Sequence, residues 1–145
     1  MPVVEISPHD THPLRRSVLR TGTASTQVIF DGDDEATTFH LGVREGGDLI
    51  AVATWMWRRY PDLPALDGFQ VRGMAIDPAR QGSGVGALIL GAGLQRCADQ
   101  GAAVVWARAR MSALGFYLRH GFETKGPRYT DLTTGLPHVD IVRLL

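Results

Sequence analysis

The sequence contains a single cysteine among its 145 residues. One cysteine excludes an internal disulfide and a zinc cluster built on several cysteines. Unpaired cysteine is typical of a reducing compartment, so we expect a cytoplasmic protein. Because Cys97 falls inside a predicted helix, between Gln95 and Ala98, we expect its thiol to pack in the core and not to act as a nucleophile.

Net charge and long apolar runs are also missing. The 15 Lys and Arg residues balance the 15 Asp and Glu residues. No apolar stretch reaches the roughly 20 residues that span a bilayer, and the N-terminus has no basic head followed by an apolar run. We therefore expect neither nucleic acid nor a membrane as a partner. A local basic patch is compatible with this balance, because the chain contains Arg15, Arg16, Arg20, Arg58, Arg59, Arg80, Arg108, Arg110 and Arg119.

The five histidines lack a metal-binding spacing such as His-x-x-x-His. They are His9, His12, His40, His120 and His138. No metal site is therefore predicted.

Length and pattern predict one α/β domain over residues 1–145. The chain is 44% apolar, which suits a domain with a full core. Alternating and continuous apolar runs predict strands over residues 3–6, 39–43, 49–57, 69–76, 103–107, 122–125 and 139–144. Helical spacing predicts a short helix from residue 11, a second helix with Leu88, Leu90, Leu94 and Cys97 or Ala98 on its apolar face, and a third over 111–120.

Residues 71–87 are the stretch around which the chain is organised. A short apolar strand ends at Asp77-Pro78, a loop follows with glycines at 82, 84 and 86, and a helix with small residues begins there. The first N–H groups of a helix have no partner within the helix and lie at the positive end of its dipole. A glycine loop entering a helix therefore predicts a phosphate-binding site.

Two familiar phosphate loops do not fit this stretch. Gly82-x-Gly84-x-x-Ala87 matches the loose dinucleotide fingerprint, but the next strand is followed by Arg108 and Arg110 and not by a carboxylate. A P-loop needs Gly-Lys-Ser/Thr after the glycines, and none is present. What remains is Gln81-x-x-Gly84-x-Gly86, with Arg80 in front of it.

This arrangement resembles the acyl-CoA pyrophosphate loop of the GNAT family of N-acetyltransferases. A second segment, residues 109–123, resembles the part of that family in which a helix carries Phe-Tyr, here Phe116-Tyr117, and ends in Gly-Phe. One position departs from the family pattern: Arg110 stands where the family often has Asn. This chain therefore lacks the Asn side chain for a cofactor or capping contact at this position.

The resemblance implies a single-domain GNAT fold, in which a central mixed sheet is flanked by helices, and acetyl-CoA as co-substrate. The backbone of the strand 74–76 would splay from its neighbour and bind the pantetheine arm, and the loop amides would bind the pyrophosphate. Arg80 or Arg119 would meet the phosphate charge from the side. The implied cofactor-binding residues are Met74, Ala75, Ile76, Arg80, Gln81, Gly82, Ser83, Gly84, Val85, Gly86, Ala87 and Arg119.

Tyr117 is the predicted general acid for the departing thiolate, since a phenol stays protonated at neutral pH. Packing of the helix is the alternative role for this aromatic side chain. The backbone N–H of Met74 would polarise the thioester oxygen. His138 is the first choice for the base that receives the amine proton, and His40 is the second. Asp33, Asp34 and Glu35 form an acidic group that could attract a cationic amine.

The predicted function is therefore N-acetyl transfer from acetyl-CoA to a primary amine of a small molecule or peptide. Transfer from a longer acyl-CoA, transfer to a hydroxyl, and an acyl-CoA-sensing or partner-binding domain with little turnover are the alternatives. Nicotinamide dinucleotide binding is a further one. Final strands exposed at a sheet edge would permit a homodimer.

Overall fold

The computed structural model describes residues 1–145, and its core is one mixed seven-stranded sheet. The strand order is β1-β2-β3-β4-β5-β7-β6. All neighbours are antiparallel except β4 and β5. The predicted α/β class is confirmed. The strands are β1 (Val3–Ile6), β2 (Phe39–Glu45), β3 (Asp48–Trp57), β4 (Gly68–Ile76), β5 (Val104–Arg110), β6 (Glu123–Thr130) and β7 (Pro137–Leu144).

Helices cover both faces of the sheet. The N-terminal helical segment consists of a 3-10 turn (His9–Thr11), α1 (His12–Leu14) and a π-type turn (Arg15–Leu19). Short 3-10 turns also follow β4 and β5, at Pro78–Arg80 and Met111–Ala113. None of the helices combines the length and hydrophobicity needed to cross a bilayer. The longer helices are α2 (Val85–Asp99) and α3 (Leu114–Arg119).

Helix α2 packs on one face of the sheet, opposite Trp55. Gly93 lies against this indole, and an added Cβ would come within 1.8 Å of the ring. Cys97 is fully buried, as predicted. Leu88 was expected on the buried face but is 41% exposed, because the buried stripe follows the spacing of Val85, Ile89, Leu90, Gly93, Leu94 and Cys97.

The only parallel pair, β4 and β5, stays together over three residues. Gly68, Phe69 and Gln70 pair with Val104, Val105 and Trp106, and no pairing continues beyond them. The strands therefore separate over the second half of β4. Strands that part inside a sheet leave backbone groups without sheet partners along the opening.

A β-bulge at Gly73, just beyond the last β4–β5 pair, reverses the side-chain alternation of the rest of β4. The register with β3 shifts between Val52 and Thr54, beside Gly73, which has φ of 58°. Before the bulge, Val71 packs in the core under α2; after it, Ala75 packs in the core under the N-terminal helical segment. Residues four apart on a regular strand share a face, so the bulge has reversed the alternation.

The last two strands differ from the expected arrangement. The predicted β6 ended at residue 125, whereas the strand continues through a bulge to Thr130. β7, the final strand of the chain, lies between β5 and β6 and is not at an edge. The edges are β1 and β6, so any pairing between copies through a final strand would involve β6 and not β7.

Candidate active site

A cleft of about 960 Å³ opens where β4 and β5 separate. Its walls come from the end of β4, the glycine loop, the end of β5, α3 and the segment after β6. Most of the predicted site residues line it, among them Met74, Arg80, Tyr117, Arg119 and His138. Residues distant in sequence meet here because both strands end at the same side of the sheet.

The glycine loop presents free backbone donors to this cleft. Gly82 and Gly84 have φ of 79° and 89°, a region that favours glycine. The Gln81 and Ser83 amides donate to the carbonyls of Pro78 and Arg80. No protein acceptor is bound by the amides of Gly82, Gly84, Val85, Gly86 and Ala87. Free amides at the start of a 15-residue helix suit an anionic group.

The two arginines beside the loop differ in their contacts. Arg80 is paired with Glu45, and hydrogen bonding to that carboxylate raises the pKa of the guanidinium. Arg119, at the end of α3, has no hydrogen-bonding or ionic partner in the structure and is exposed. Arg119 is therefore available to a ligand without breaking another contact, whereas Arg80 is not.

Tyr117 is held in the cleft wall by aromatic neighbours. Its ring makes edge contacts with Phe116 and Phe122, at centroid distances of 5.3 Å in both cases. Its hydroxyl lies 3.7 Å from the Met74 sulfur and has no oxygen or nitrogen partner. Burial raises the pKa of the phenol, so the hydroxyl keeps its proton at any pH near neutrality. The ring is therefore packed among aromatic side chains, and its hydroxyl donates one weak hydrogen bond, to sulfur.

His138 reaches the cleft from the opposite face of the sheet. It is the partner of Arg110 in the pairing of β5 with β7, and its neighbour Val139 packs in the core under α2. Adjacent strand residues point to opposite faces, so His138 lies on the face away from α2 and α3. Its Nδ1 is 3.0 Å from the Leu136 carbonyl oxygen, and Nε2 has no protein partner.

The remaining candidates for base and amine attraction lie elsewhere. His40 is buried, with Nδ1 2.7 Å from Thr54 Oγ1 and Nε2 3.0 Å from the Asp33 carbonyl oxygen. Neither ring nitrogen is free. Asp33 is also buried, and its carboxylate pairs with Arg15 at 2.7 Å. These residues, with Asp34 and Glu35, line a separate cavity, so the predicted acidic attraction for an amine does not operate at the cleft.

Sequence reasoning missed the polar wall of the cleft on the face of His138. Arg72 and Arg108 lie there, with Phe30 and Gln70. The available signal was the alternation of Arg108 and Arg110 along one strand and the position of Arg72 two residues before Met74. Arg110, at the departing family position, donates to the Leu19 carbonyl and ties β5 to the N-terminal helical segment.

Solved structures share this architecture over nearly the whole chain. Escherichia coli ElaA superposes with a TM-score of 0.79 at 18% identity and covers 98% of both chains. An acyl-CoA N-acyltransferase from Pseudomonas aeruginosa has a TM-score of 0.79 at 17% identity and covers 99% of both. These similarities show that the chain has the fold of the acyl-CoA N-acyltransferases.

Sequence comparison identifies the family. The model of the acetyltransferase (GNAT) family matches residues 8–122. A Bacillus subtilis (strain 168) protein described as the uncharacterized N-acetyltransferase YitI is 29% identical over 124 residues, which are 86% of this chain and 83% of that protein. The chain belongs to the GNAT family and is an acyl-CoA-dependent enzyme of the N-acetyltransferase class.

Proposed function

We propose that this enzyme transfers an acetyl group from acetyl-CoA to the primary amine of a small molecule or peptide. One observation carries the proposal: Tyr117 and His138 line the same cleft from opposite faces of the sheet, at the gap between β4 and β5. Transfer between two substrates needs proton donation to one and proton removal from the other. Groups on opposite faces of one gap can serve both substrates at once.

The residues present fit an acyl-CoA. The free amides of the glycine loop and the helix dipole of α2 would bind its diphosphate, with Arg119 available to a phosphate. The pantetheine arm would lie along Met74, Ala75 and Ile76, where β4 has no partner on the β5 side. The bound coenzyme supplies the activated acyl group as a thioester. Acetyl is proposed as that group because it is the one implied by the sequence resemblance.

The side chains divide the proton chemistry between them. His138 accepts the amine proton, directly or through a water molecule, from the face on which an acceptor enters. The Met74 amide donates a hydrogen bond to the carbonyl oxygen as negative charge develops there. Tyr117 donates its proton to the departing sulfur, which its position beside Met74 allows. Burial of the phenol favours the neutral form, so the donor is fully protonated before each turnover.

Replacement of Tyr117 tests the acid. Tyr117→Phe keeps the ring and removes the hydroxyl, so kcat for thiol release from acetyl-CoA is expected to fall by about 10²- to 10⁴-fold, while CoA affinity in calorimetry changes little. The matched control is Tyr60→Phe, because Tyr60 is also buried and its hydroxyl donates to Asp140 outside the cleft. A Tyr117→Phe enzyme as active as that control would remove Tyr117 from the mechanism.

A second substitution tests the base. His138→Gln retains a polar side chain and removes the proton acceptor, and kcat/KM for the amine is expected to fall about 10²-fold at neutral pH. The loss should shrink as the pH approaches the amine's own pKa, about 10 for a lysine-like amine, because the free base then forms without help. A constant loss across the pH profile would assign His138 a structural role.

A further inference from the structure

Arg72 and Arg108 face each other across the point where β4 and β5 part. Gln70 and Trp106 are the last paired residues of the two strands, and the arginines lie two positions beyond them. Paired residues of a parallel sheet point to the same face, as do residues two apart. Both guanidinium groups therefore leave the sheet on the face of His138, before the bulge at Gly73 reverses β4.

Neither arginine forms a salt bridge. Arg108 lies opposite Asp140 in the pairing of β5 with β7, but the Asp140 carboxylate accepts hydrogen bonds from the Tyr60 and Tyr129 hydroxyls. No hydrogen bond or salt bridge engages Arg72, whose guanidinium carbon lies 4.5 Å from the centre of the Phe30 ring. Arg108 is exposed and has no hydrogen-bond or salt-bridge partner; its guanidinium carbon lies 5.6 Å from the centre of the Trp106 ring. Burial and the charge of Arg58 lower the pKa of Arg72. A half-buried, unpaired guanidinium among like charges lacks the partner that usually accompanies it.

The rest of the lining does not supply that partner. It contains Arg20, Arg58, Arg72, Arg80, Arg108, Arg110 and Arg119 but a single carboxylate, Asp131. The Asp131 carboxylate accepts hydrogen bonds from the Thr134 amide and hydroxyl at 2.9 and 2.8 Å. Burial opposes ionisation of Asp131, but these hydrogen bonds outweigh it and keep its pKa below the usual range.

We infer that the acceptor of this enzyme is an amine that carries its own carboxylate, as an amino acid does, and that Arg72 and Arg108 bind that carboxylate. This inference rests on the proposed function and names its substrate class. A planar guanidinium matches a carboxylate with two parallel hydrogen bonds. The acceptor would enter on the face of His138, with its amine directed to the gap beside Met74 and its carboxylate held on the wall behind.

Matched acceptors test the inference. Amino acids and their carboxamides share the amine and the side chain and differ in the anionic group. The enzyme should acetylate the amino acid with the higher kcat/KM, and calorimetry with CoA-saturated enzyme should show that the amino acid binds more tightly than its amide. The same measurements with an aminophosphonate compare a tetrahedral anion with the planar carboxylate. A preference for the phosphonate would overturn the assignment to carboxylate.

Substitution identifies the residues. Arg72→Gln and Arg108→Gln should each weaken binding of the amino acid to the CoA-saturated enzyme about 10- to 100-fold, the range for a lost charge-assisted contact, and leave the amide and CoA affinities unchanged. Arg59→Gln is the control, because Arg59 is exposed and pairs with Asp67 outside the cleft.

The two proposals fail separately. Equal binding of acid and amide, or tighter binding of the amide, overturns the inference whether or not acetyl transfer occurs. Arg72-dependent binding of the amino acid without acetyl transfer overturns the proposed reaction and leaves the carboxylate site standing.

Discussion

Two regions on the same face of the sheet each hold an arginine, one fully buried and one half-buried, and the fold supplies polar partners to only one of them. Arg15 is fully buried and donates to Asp33 through both terminal nitrogens, to Thr54 Oγ1 at 2.8 Å and to the Val28 carbonyl at 2.8 Å. Arg72 lies nearby and has no polar partner in the protein. Phe30 lies between them, with its ring 3.9 Å from the Arg15 guanidinium carbon and 4.5 Å from that of Arg72.

The difference distinguishes a charge that stabilises the fold, on Arg15, from a charge that is left for a ligand, on Arg72. Burial of an ion costs free energy that a partner and further hydrogen bonds must offset. Around Arg15 this requirement is met within the fold, apart from its unpartnered Nε. Around Arg72 it is not met, so the missing contacts are left for a ligand. The free amides of the glycine loop, on the other side of the cleft, likewise lack protein partners and are available to a ligand.

The largest expected change in the free energy of unfolding follows from replacing Arg15. Arg15→Met keeps an unbranched apolar stem and leaves the Asp33 carboxylate buried without its partner, so the free energy of unfolding should fall by about 3–5 kcal/mol. Urea denaturation measures it. A loss below about 1 kcal/mol would show that the pair is replaceable and would weaken the contrast with Arg72.

The pH dependence of the pair gives a smaller effect that sharpens the same contrast. Burial opposes ionisation of Asp33, but the Arg15 and Phe30 hydrogen bonds prevail and lower the pKa of the carboxyl. The stability it contributes is present above its unfolded pKa, about 3.9, and is lost as the pH falls through the lower folded value. Asp33→Asn should be less stable than wild type at neutral pH, and the gap should narrow in urea titrations below about pH 4. A gap independent of pH would contradict this linkage.

The smallest expected change in the free energy of unfolding follows from replacing Arg72. Arg72→Met removes an unpaired charge and keeps a side chain of similar length over Phe30, so the free energy of unfolding should change by less than about 1 kcal/mol. The same variant should bind the amino acid as poorly as Arg72→Gln. Thermal and urea unfolding, measured beside the Arg15→Met protein, provide the comparison. A large destabilisation would make Arg72 architectural and break the contrast.

The elements that could be predicted from the sequence are those that a local residue pattern defines. The strand before Asp77, the glycines at 82 and 84 and the helix after them form a continuous segment, so turn chemistry and spacing were sufficient. The third helix was predicted over 111–120, where the structure has a 3-10 turn followed by α3. Leu88 was misplaced because every residue around it on α2 is small or apolar, and such a pattern does not define one face.

The alternation of arginines along β5 was visible in the sequence, but no local pattern shows that Arg72 and Arg108 lie on the same wall of the cleft. Arg72 and Arg108 are 36 positions apart, and they meet through the pairing of Gln70 with Trp106. His40 was predicted as the second choice for the base, and Asp33 as part of an acidic group that could attract a cationic amine. Only their burial against Thr54 and Arg15 removes them from the cleft.

The amino-acid sequence by itself determined the glycine loop between strand and helix and the two motifs that indicate the family, since each consists of neighbouring residues whose preferences act locally. The tertiary structure alone decided where β4 and β5 part, that β7 lies inside the sheet, and which arginines have partners. Those outcomes depend on strand register and on a one-residue bulge at Gly73. A shift of one residue moves every following side chain to the other face of a sheet.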